Sequence, residues 1–237
     1  SRLSKPNVLI AGEAGVGKTT LTEGFVKDVI EKKVPAALIT NNIFLLDTGA
    51  VIAGASYKGE VEDRLKNIFK ELKQLEKPVL LIDELHVLLD KQGPAAGAAN
   101  ILKPEIARGE VTVIATTMMD EYRKHIEKDE GFNRQFELLV LEEPDTDNAF
   151  QMIRLAMPGY EKHHGITVSD ETIHETIRLA KRFVKDRRLP DAAIDLADRA
   201  MAGLRLINEK GSDEVAELEN QFNLLVKQTK PAATLQN

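Results

Sequence analysis

The sequence predicts an α/β fold: a five-stranded parallel sheet flanked by helices, followed by a small all-helical C-terminal unit. Two observations carry this. Five short runs, at residues 8–11, 43–46, 79–82, 111–116 and 138–141, are almost continuously apolar rather than alternating. That is the pattern of strands covered on both faces of a parallel sheet. Helical patterns lie between these runs, and strand signals stop after Pro144. Strands alternating with helices imply helices packed on both faces of the sheet.

Taken in order, the first strand runs into Gly12-Glu13-Ala14-Gly15-Val16-Gly17-Lys18-Thr19, and a helical pattern follows over 19–31. The clearest helix is expected at 60–75, where Val61, Leu65, Ile68, Leu72 and Leu75 recur at three- and four-residue steps. Glu62 and Lys66 are spaced for an i,i+4 pair on its outer face. The strand at 79–82 ends in Asp83-Glu84, and the strand at 111–116 ends in Thr116-Thr117. Arg134 stands just before the fifth strand. Beyond it, 145–157, 169–185 and 189–209 read as helices. Ser169, followed by Asp170 and Glu171, suits a helix start, and Pro190 sits where a first helical turn tolerates proline. These divisions place an α/β part at 1–144 and a small helical part, a lid on the first, at 145–210. The stretch 211–237 is expected to open a coiled middle segment or linker.

Bulk numbers narrow the function classes. The 237 residues are 43% apolar, enough to bury a core, and no apolar run is long enough to span a membrane. Cysteine is absent, which removes disulfides and thiol chemistry and fits a cytoplasmic setting. The net charge of −6, the absence of tryptophan and the sparse aromatics argue against a nucleic-acid partner.

The glycine-rich segment matches G-x-x-x-x-G-K-[ST], preceded by a strand and followed by a helix. Its glycines allow a tight turn whose main-chain N–H groups form an anion nest, and the next helix adds its positive end. Gly12, Glu13, Ala14, Gly15, Val16, Gly17 and Thr20 thus join Lys18 and Thr19 as the expected phosphate cradle. Lys18 places an ammonium at the β- and γ-phosphates of ATP, and the Thr19 hydroxyl is a hard oxygen ligand for Mg²⁺. The acid pair leaves the carboxyl end of a buried strand, where open α/β sheets bind ligands. Asp83 is expected to hold Mg²⁺ through water and Glu84 to polarise the attacking water. Thr116 or Thr117 could hold that water. Arg134 could reach a neighbouring subunit's nucleotide. His163-His164 lacks a spaced third ligand and His86 reads as packed, so neither is taken as a metal or acid–base centre. The basic run 181–188 has no interleaved aromatics and reads as a solvated face or subunit contact.

Together these residues resemble the Clp family of double-ring AAA+ unfoldases. The resemblance covers about residues 8–202. It rests on the phosphate segment and on Gly54-Ala55-Ser56-Tyr57-Lys58-Gly59-Glu60, Ile82-Asp83-Glu84-Leu85-His86 and Leu102-Lys103-Pro104. Ala107-Arg108-Gly109-Glu110, Ala115-Thr116-Thr117, Asp120-Glu121-Tyr122-Arg123 and Ile126-Glu127-Lys128-Asp129 add to it, as does Leu189-Pro190-Asp191 with Ala193-Ile194-Asp195-Leu196. The resemblance implies an ATP-hydrolysing AAA+ module, a homo-hexameric ring in the full-length protein, and a polypeptide substrate threaded through its pore. It puts Tyr57 and Lys58 on the pore loop, Thr117 at the sensor position and Arg134 at the first arginine-finger position. Pro190, Asp191 and Ile194 fall where the lid meets the adenine.

The sequence also departs from the family. Gln135 stands at the second finger position and Ala192 where lysine is usual. Met118-Met119 adds one residue after the threonines, which leaves Thr116 and Thr117 both open as sensor. The loop 90–99 resembles a second pore loop without charge at its tip, and the family's segment before the first strand lies outside the sequence. Ala14, Ala55-Ser56, Glu23-Gly24-Phe25 and Glu161-Lys162-His163-His164 lean toward the type VI secretion branch, ClpV. The ClpB disaggregase branch is the alternative, and a nucleic-acid motor or loader is the alternative of another class.

Overall fold

The computed structural model describes residues 7–39, 42–55, 59–90, 92–93 and 95–228. The chain opens with strand β1 (Asn7–Gly12), then helices α1 (Lys18–Ile30) and α2 (Ala36–Ile39) and strand β2 (Asn42–Leu46). Helices α3 (Thr48–Ile52) and α4 (Glu60–Leu72) lead to strand β3 (Pro78–Ile82). Helices α5 (His86–Leu89) and α6 (Ala98–Arg108) lead to strand β4 (Thr112–Met118). Helices α7 (Met119–His125) and α8 (Glu130–Asn133) precede strand β5 (Phe136–Leu141). Three helices end the described chain: α9 (Thr146–His164), α10 (Asp170–Phe183) and α11 (Asp191–Gln228).

All strand pairings are parallel, and the order across the sheet is β2-β3-β4-β1-β5. The five expected strands are the five observed. β3 is buried along its whole length, as a continuous apolar run requires of a strand covered on both faces. The two edge strands depart from that expectation. Leu45 on β2 is 72% exposed, and Leu138, Leu139 and Val140 on β5 are also exposed. An apolar run in the sequence does not distinguish a central strand from an edge.

One core lies between the sheet and α3–α8, with Leu9, Leu65, Phe69, Leu80, Ile82, Leu102 and Ile106 at its centre. A separate core forms among α9, α10 and α11 from Ala149, Ile153, Met157, Ile173, Ile177, Ala193 and Met201. The helix expected at 60–75 ends at Leu72, and Lys66 pairs with Asp63 at 3.2 Å rather than with Glu62. Ser169 caps α10 as expected, accepting from the Thr172 N–H at 3.3 Å. The helix expected to stop near Met157 continues through Pro158 to His164. Proline inside a helix removes one hydrogen bond, but buried Ala149, Ile153 and Met157, with Tyr160 packed on the same core, hold the helix on course. Gly165 ends it in the left-handed region. α11 runs past residue 210 without a break.

One polar residue ties the sheet together at its amino end. Asn7, 1% exposed, accepts from the Val113 N–H at 2.8 Å and donates to the Gln135 carbonyl at 3.1 Å. It thereby spans β4 and the entry to β5 from β1. Asn7→Ala would leave the Val113 N–H buried without a partner. The expected cost is about 1–3 kcal/mol, read as a lower urea midpoint with an unchanged slope. An unchanged midpoint would refute this role.

Candidate functional site

The parallel register brings three strand ends to one edge of the sheet. β4 lies between β1 and β3, pairing Thr116 with Ile10, Thr117 with Ala11 and Met118 with Gly12 on one side, and Ala115 with Ile82 on the other. The glycine-rich loop leaves β1, and the acid pair leaves β3. The two therefore meet across the end of β4, although more than sixty residues separate Thr19 from Asp83 in the chain.

They meet in a cleft of about 340 Å³. Ala14, Gly15, Gly17, Lys18, Thr19 and Thr20 line one wall, Asp83, Glu84 and Met118 another, and Pro190, Asp191 and Ile194 a third. Most residues singled out for nucleotide binding are thus gathered around one space. Gly12 and Val16 support the loop from behind: a Cβ on Gly12 would stand 2.4 Å from the Leu141 carbonyl oxygen, and Val16 is 2% exposed. Lys18 Nζ donates to the carbonyls of Gly12 at 3.0 Å and Glu13 at 2.8 Å. Burial lowers the proton affinity of the Lys18 ammonium, and the nearby charges of Asp83, Glu84 and Glu13 oppose that shift. Phosphate oxygens would oppose it further.

The Thr19 hydroxyl donates to Asp83 Oδ2 at 3.0 Å. A hydroxyl and a carboxylate oxygen so close are a hard-oxygen pair, the donor chemistry that Mg²⁺ takes when it is also bound by phosphate. Among the described residues no cluster of three or more histidine, cysteine, aspartate or glutamate side chains is placed to hold a metal by itself.

The two threonines separate. Thr116 Oγ1 donates to Asp83 Oδ1 and accepts the Glu84 N–H at 3.1 Å. Thr117 is fully buried, and its Oγ1 lies 3.3 Å from Nδ1 of His86. Alternation along a strand sends the two side chains to opposite faces. The residue expected at the sensor position, Thr117, thus faces His86, while its neighbour is bonded to the acids. Burial depresses the proton affinity of His86, in keeping with its reading as a packed residue. Met118 closes β4 opposite Gly12 and Met119 opens α7.

Arg134 is exposed and caps the C-terminal end of α8. It lies two residues before Phe136, which pairs with Asn7 at the foot of β1. The phosphate loop leaves the other end of that strand at Gly12, about 17 Å away at ~3.3 Å per residue. Arg134 is therefore remote from its own chain's phosphate loop. Gln135 donates from Nε2 to the Gly131 carbonyl at 3.1 Å. Tyr57 and Lys58 lie outside the described residues.

The segment before α11 makes contacts that the sequence does not announce. The Arg188 N–H donates to the Ala14 carbonyl at 3.0 Å, and the Asp191 N–H to the Gly15 carbonyl at 3.3 Å. Glu143, at the exit of β5, accepts the Leu189 N–H at 3.0 Å and lies 3.9 Å from the Arg188 guanidinium. The helical unit is thus bonded directly to the phosphate loop. The bonds from Arg188 and Asp191 to the loop are main-chain and have no side-chain signature, and Glu143 acts on a segment 46 residues away, so residue type and spacing could not point to either contact. Gly15 makes the approach possible. Its φ is +87°, and a Cβ there would stand 2.8 Å from the Arg188 carbonyl oxygen and 2.9 Å from the Asp191 Cβ.

Comparison with known proteins places this geometry. Residues 8–139 match the model of the ATPase family associated with various cellular activities (AAA), and residues 145–237 match an AAA lid domain. The chain is 41% identical over 238 residues to chaperone protein ClpB of Oceanobacillus iheyensis, covering all of this chain and 29% of that protein. It is 40% identical over 238 residues to the negative regulator of genetic competence ClpC/MecB of Bacillus subtilis, with the same coverage of 100% and 29%. The chain therefore spans under a third of the length of these curated relatives. Among solved structures, the Hsp104–ADP complex of S. cerevisiae aligns with a TM-score of 0.84 at 39% identity, over 94% of this chain and 32% of that one. A closed-state reconstruction of Hsp104 with ATPγS and FITC casein aligns with a TM-score of 0.78 at 40% identity, over 88% and 36%.

The crowding at Gly15 generates a direct expectation. Gly15→Ala should lower affinity for a fluorescent ADP analogue by roughly tenfold, about 1.4 kcal/mol, in an equilibrium titration. Wild-type affinity in that variant would contradict the packing argument.

Proposed function

The chain belongs to the AAA family of ATPases, and we propose that it is the ATP-driven module of a Clp-type machine that remodels proteins by pulling on polypeptide. It is an ATPase: ATP and water give ADP and phosphate. The observation that carries the proposed assignment of residues is the single cleft shared by Lys18, Thr19, Asp83 and Glu84.

In this reading the triphosphate lies along the main-chain N–H groups of the loop, and Lys18 exchanges its two carbonyl partners for β- and γ-phosphate oxygens. Thr19 and Asp83 would hold Mg²⁺, Asp83 through water, and the ion would supply positive charge against the phosphates. Glu84 accepts a proton from the water whose oxygen attacks the γ-phosphorus, and ADP leaves on the opposite side. Pro190, Asp191 and Ile194, beside the loop, form the wall for the base and carry nucleotide state into the lid. Arg134 serves a neighbouring subunit's nucleotide in a homo-hexamer. Its exposure and its position at the far end of β1 support action between chains rather than within one. Gln135 beside it carries no charge, so a single cation would supply that contact.

Within the Clp group, the ClpB, ClpC and heat shock protein 104 relatives support a chaperone or unfoldase role. The disaggregase-like alternative is better supported than the type VI secretion branch toward which a few residues lean. A protein substrate follows from the same reading, with Tyr57 and Lys58 as the gripping residues of a pore loop. An aromatic packs on any side chain and so needs no sequence code. No described helix is long and apolar enough to cross a membrane.

Two substitutions separate binding from turnover. Lys18→Ala should weaken nucleotide binding about 100-fold, about 2.7 kcal/mol. Glu84→Gln should keep affinity within about threefold and slow phosphate release by at least ~10²-fold. If Glu84→Gln hydrolysed ATP at the wild-type rate, the assignment of Glu84 would be wrong. In the full-length protein, Tyr57→Ala should spare ATPase activity and slow unfolding of a folded reporter substrate. Unfolding at the wild-type rate would remove Tyr57 from the pulling mechanism.

A further inference from the structure

We propose that Glu143 is a positioning residue for the base end of the nucleotide: its carboxylate sets where Pro190, Asp191 and Ile194 stand relative to the phosphate loop. The inference rests on the reading of those three residues as the wall for the base, and it gives a task to a residue that no motif in the sequence marks.

The observation is a turn held at three points. Residues 188–191 lead into α11, and three of their main-chain N–H groups cross to the α/β part. The Arg188 N–H donates to the Ala14 carbonyl at 3.0 Å and the Asp191 N–H to the Gly15 carbonyl at 3.3 Å. Between them, the Leu189 N–H donates to Glu143 Oε1 at 3.0 Å. Leu189 is 1% exposed and belongs to the core of the helical unit, so water has little access to replace that acceptor. The two carbonyls belong to the phosphate loop itself. Glu143 is referenced to the sheet instead. It stands two residues past Leu141, which pairs with Gly12 where the loop begins. β5 thus fixes the height of Glu143 against the start of the loop, and the carboxylate passes that height to the residue before Pro190.

The bond needs an acceptor with reach rather than a charge. A carboxylate and a carboxamide of the same length both present an oxygen to an N–H. The Arg188 guanidinium lies 3.9 Å from Glu143 Oε2, and both side chains reach solvent, so that attraction adds little. Without the acceptor, the buried Leu189 N–H loses its partner and the turn shifts to find another. Pro190 and Ile194 shift together, because the Ile194 N–H donates to the Pro190 carbonyl at 3.1 Å. Lys18 keeps its place at the start of α1, and the loop keeps its root in β1. Loss of Glu143 is therefore felt at the base and not at the phosphates.

The test compares Glu143→Ala and Glu143→Gln in the full-length protein, with any other phosphate-loop module silenced. Binding of ADP and of inorganic tripolyphosphate, each with Mg²⁺, is measured by displacement of a fluorescent ADP analogue. Glu143→Ala should weaken ADP at least tenfold and leave tripolyphosphate within twofold of wild type. Glu143→Gln should bind both within threefold of wild type. A Glu143→Ala protein with wild-type affinity for ADP overturns the proposal. So does one that loses ADP and tripolyphosphate equally, because Glu143 would then support the loop and not the base wall. A Glu143→Gln protein as weak as Glu143→Ala overturns it too, since charge and not the acceptor would matter. If the alanine variant does not fold, Glu143→Leu, which keeps bulk and lacks an acceptor, is judged by the same criteria. Ile194→Ala is measured in parallel. Unchanged ADP affinity in Ile194→Ala defeats the reading of the base wall, whereas weakened affinity there beside wild-type affinity in Glu143→Ala defeats only the proposal for Glu143.

Discussion

β4 sits between the strand that carries the phosphate loop and the strand that carries the acids, and parallel pairing on both sides aligns all three at their carboxyl ends. The rest of the site depends on that constraint. A parallel ladder fixes register as well as proximity, so the height of Asp83 relative to Gly12 is set by hydrogen bonds rather than by loop length. Thr116 occupies the middle position. Its hydroxyl converts strand register into side-chain register by bonding to Asp83 and to the Glu84 main chain together. Asp83 then reaches the Thr19 hydroxyl across the gap. Three strands and one helix start thus share a continuous run of hydrogen bonds.

The helical lid is attached to this run by backbone. Bonds from Arg188 and Asp191 to the carbonyls of Ala14 and Gly15 join the entry to α11 to the loop that cradles phosphate. Carbonyls used in this way leave the loop's N–H groups for an anion. A change in the loop on binding would be felt directly at the start of a 38-residue helix. The two apolar cores are separate, and the contacts just named join the lid to the phosphate loop. Arg134 follows α8 just before β5, at the opposite end of the sheet from the phosphate loop. Its segment is held in place by the Asp129 cap of α8, by the 2.6 Å bond from Lys103 to Asp129, and by the edge-to-face pair of Phe132 and Phe136.

Much of this was legible in the residues alone. Five apolar runs marked five strands, and the central ones are apolar because a parallel sheet buries them on both faces; the start of α10 was marked by Ser169, whose side chain caps it. The phosphate loop was readable because its chemistry needs glycine, lysine and a hydroxyl at fixed spacing. The acid pair was readable because a buried strand has little other reason to end in two carboxylates beside such a loop. The resemblance to the Clp family rested on the same local words, and the AAA and lid matches agree with it at the level of the family.

What local words could not carry was anything decided by distance through space. Adjacent threonines look alike in a sequence, and only β4's place between β1 and β3 turned Thr116 toward the acids and Thr117 toward His86. Asn7 is one polar residue before an apolar run until two neighbouring strands present it with a donor and an acceptor. Pro158 predicts a helix end until packing on both sides of it keeps the helix whole. The exposed edges of β2 and β5 follow the same rule. Sequence determined which chemistry this chain carries, because chemistry resides in residue types at short spacing. The tertiary structure decided which of those residues face one another, because parallel register and close packing act between segments that are remote along the chain.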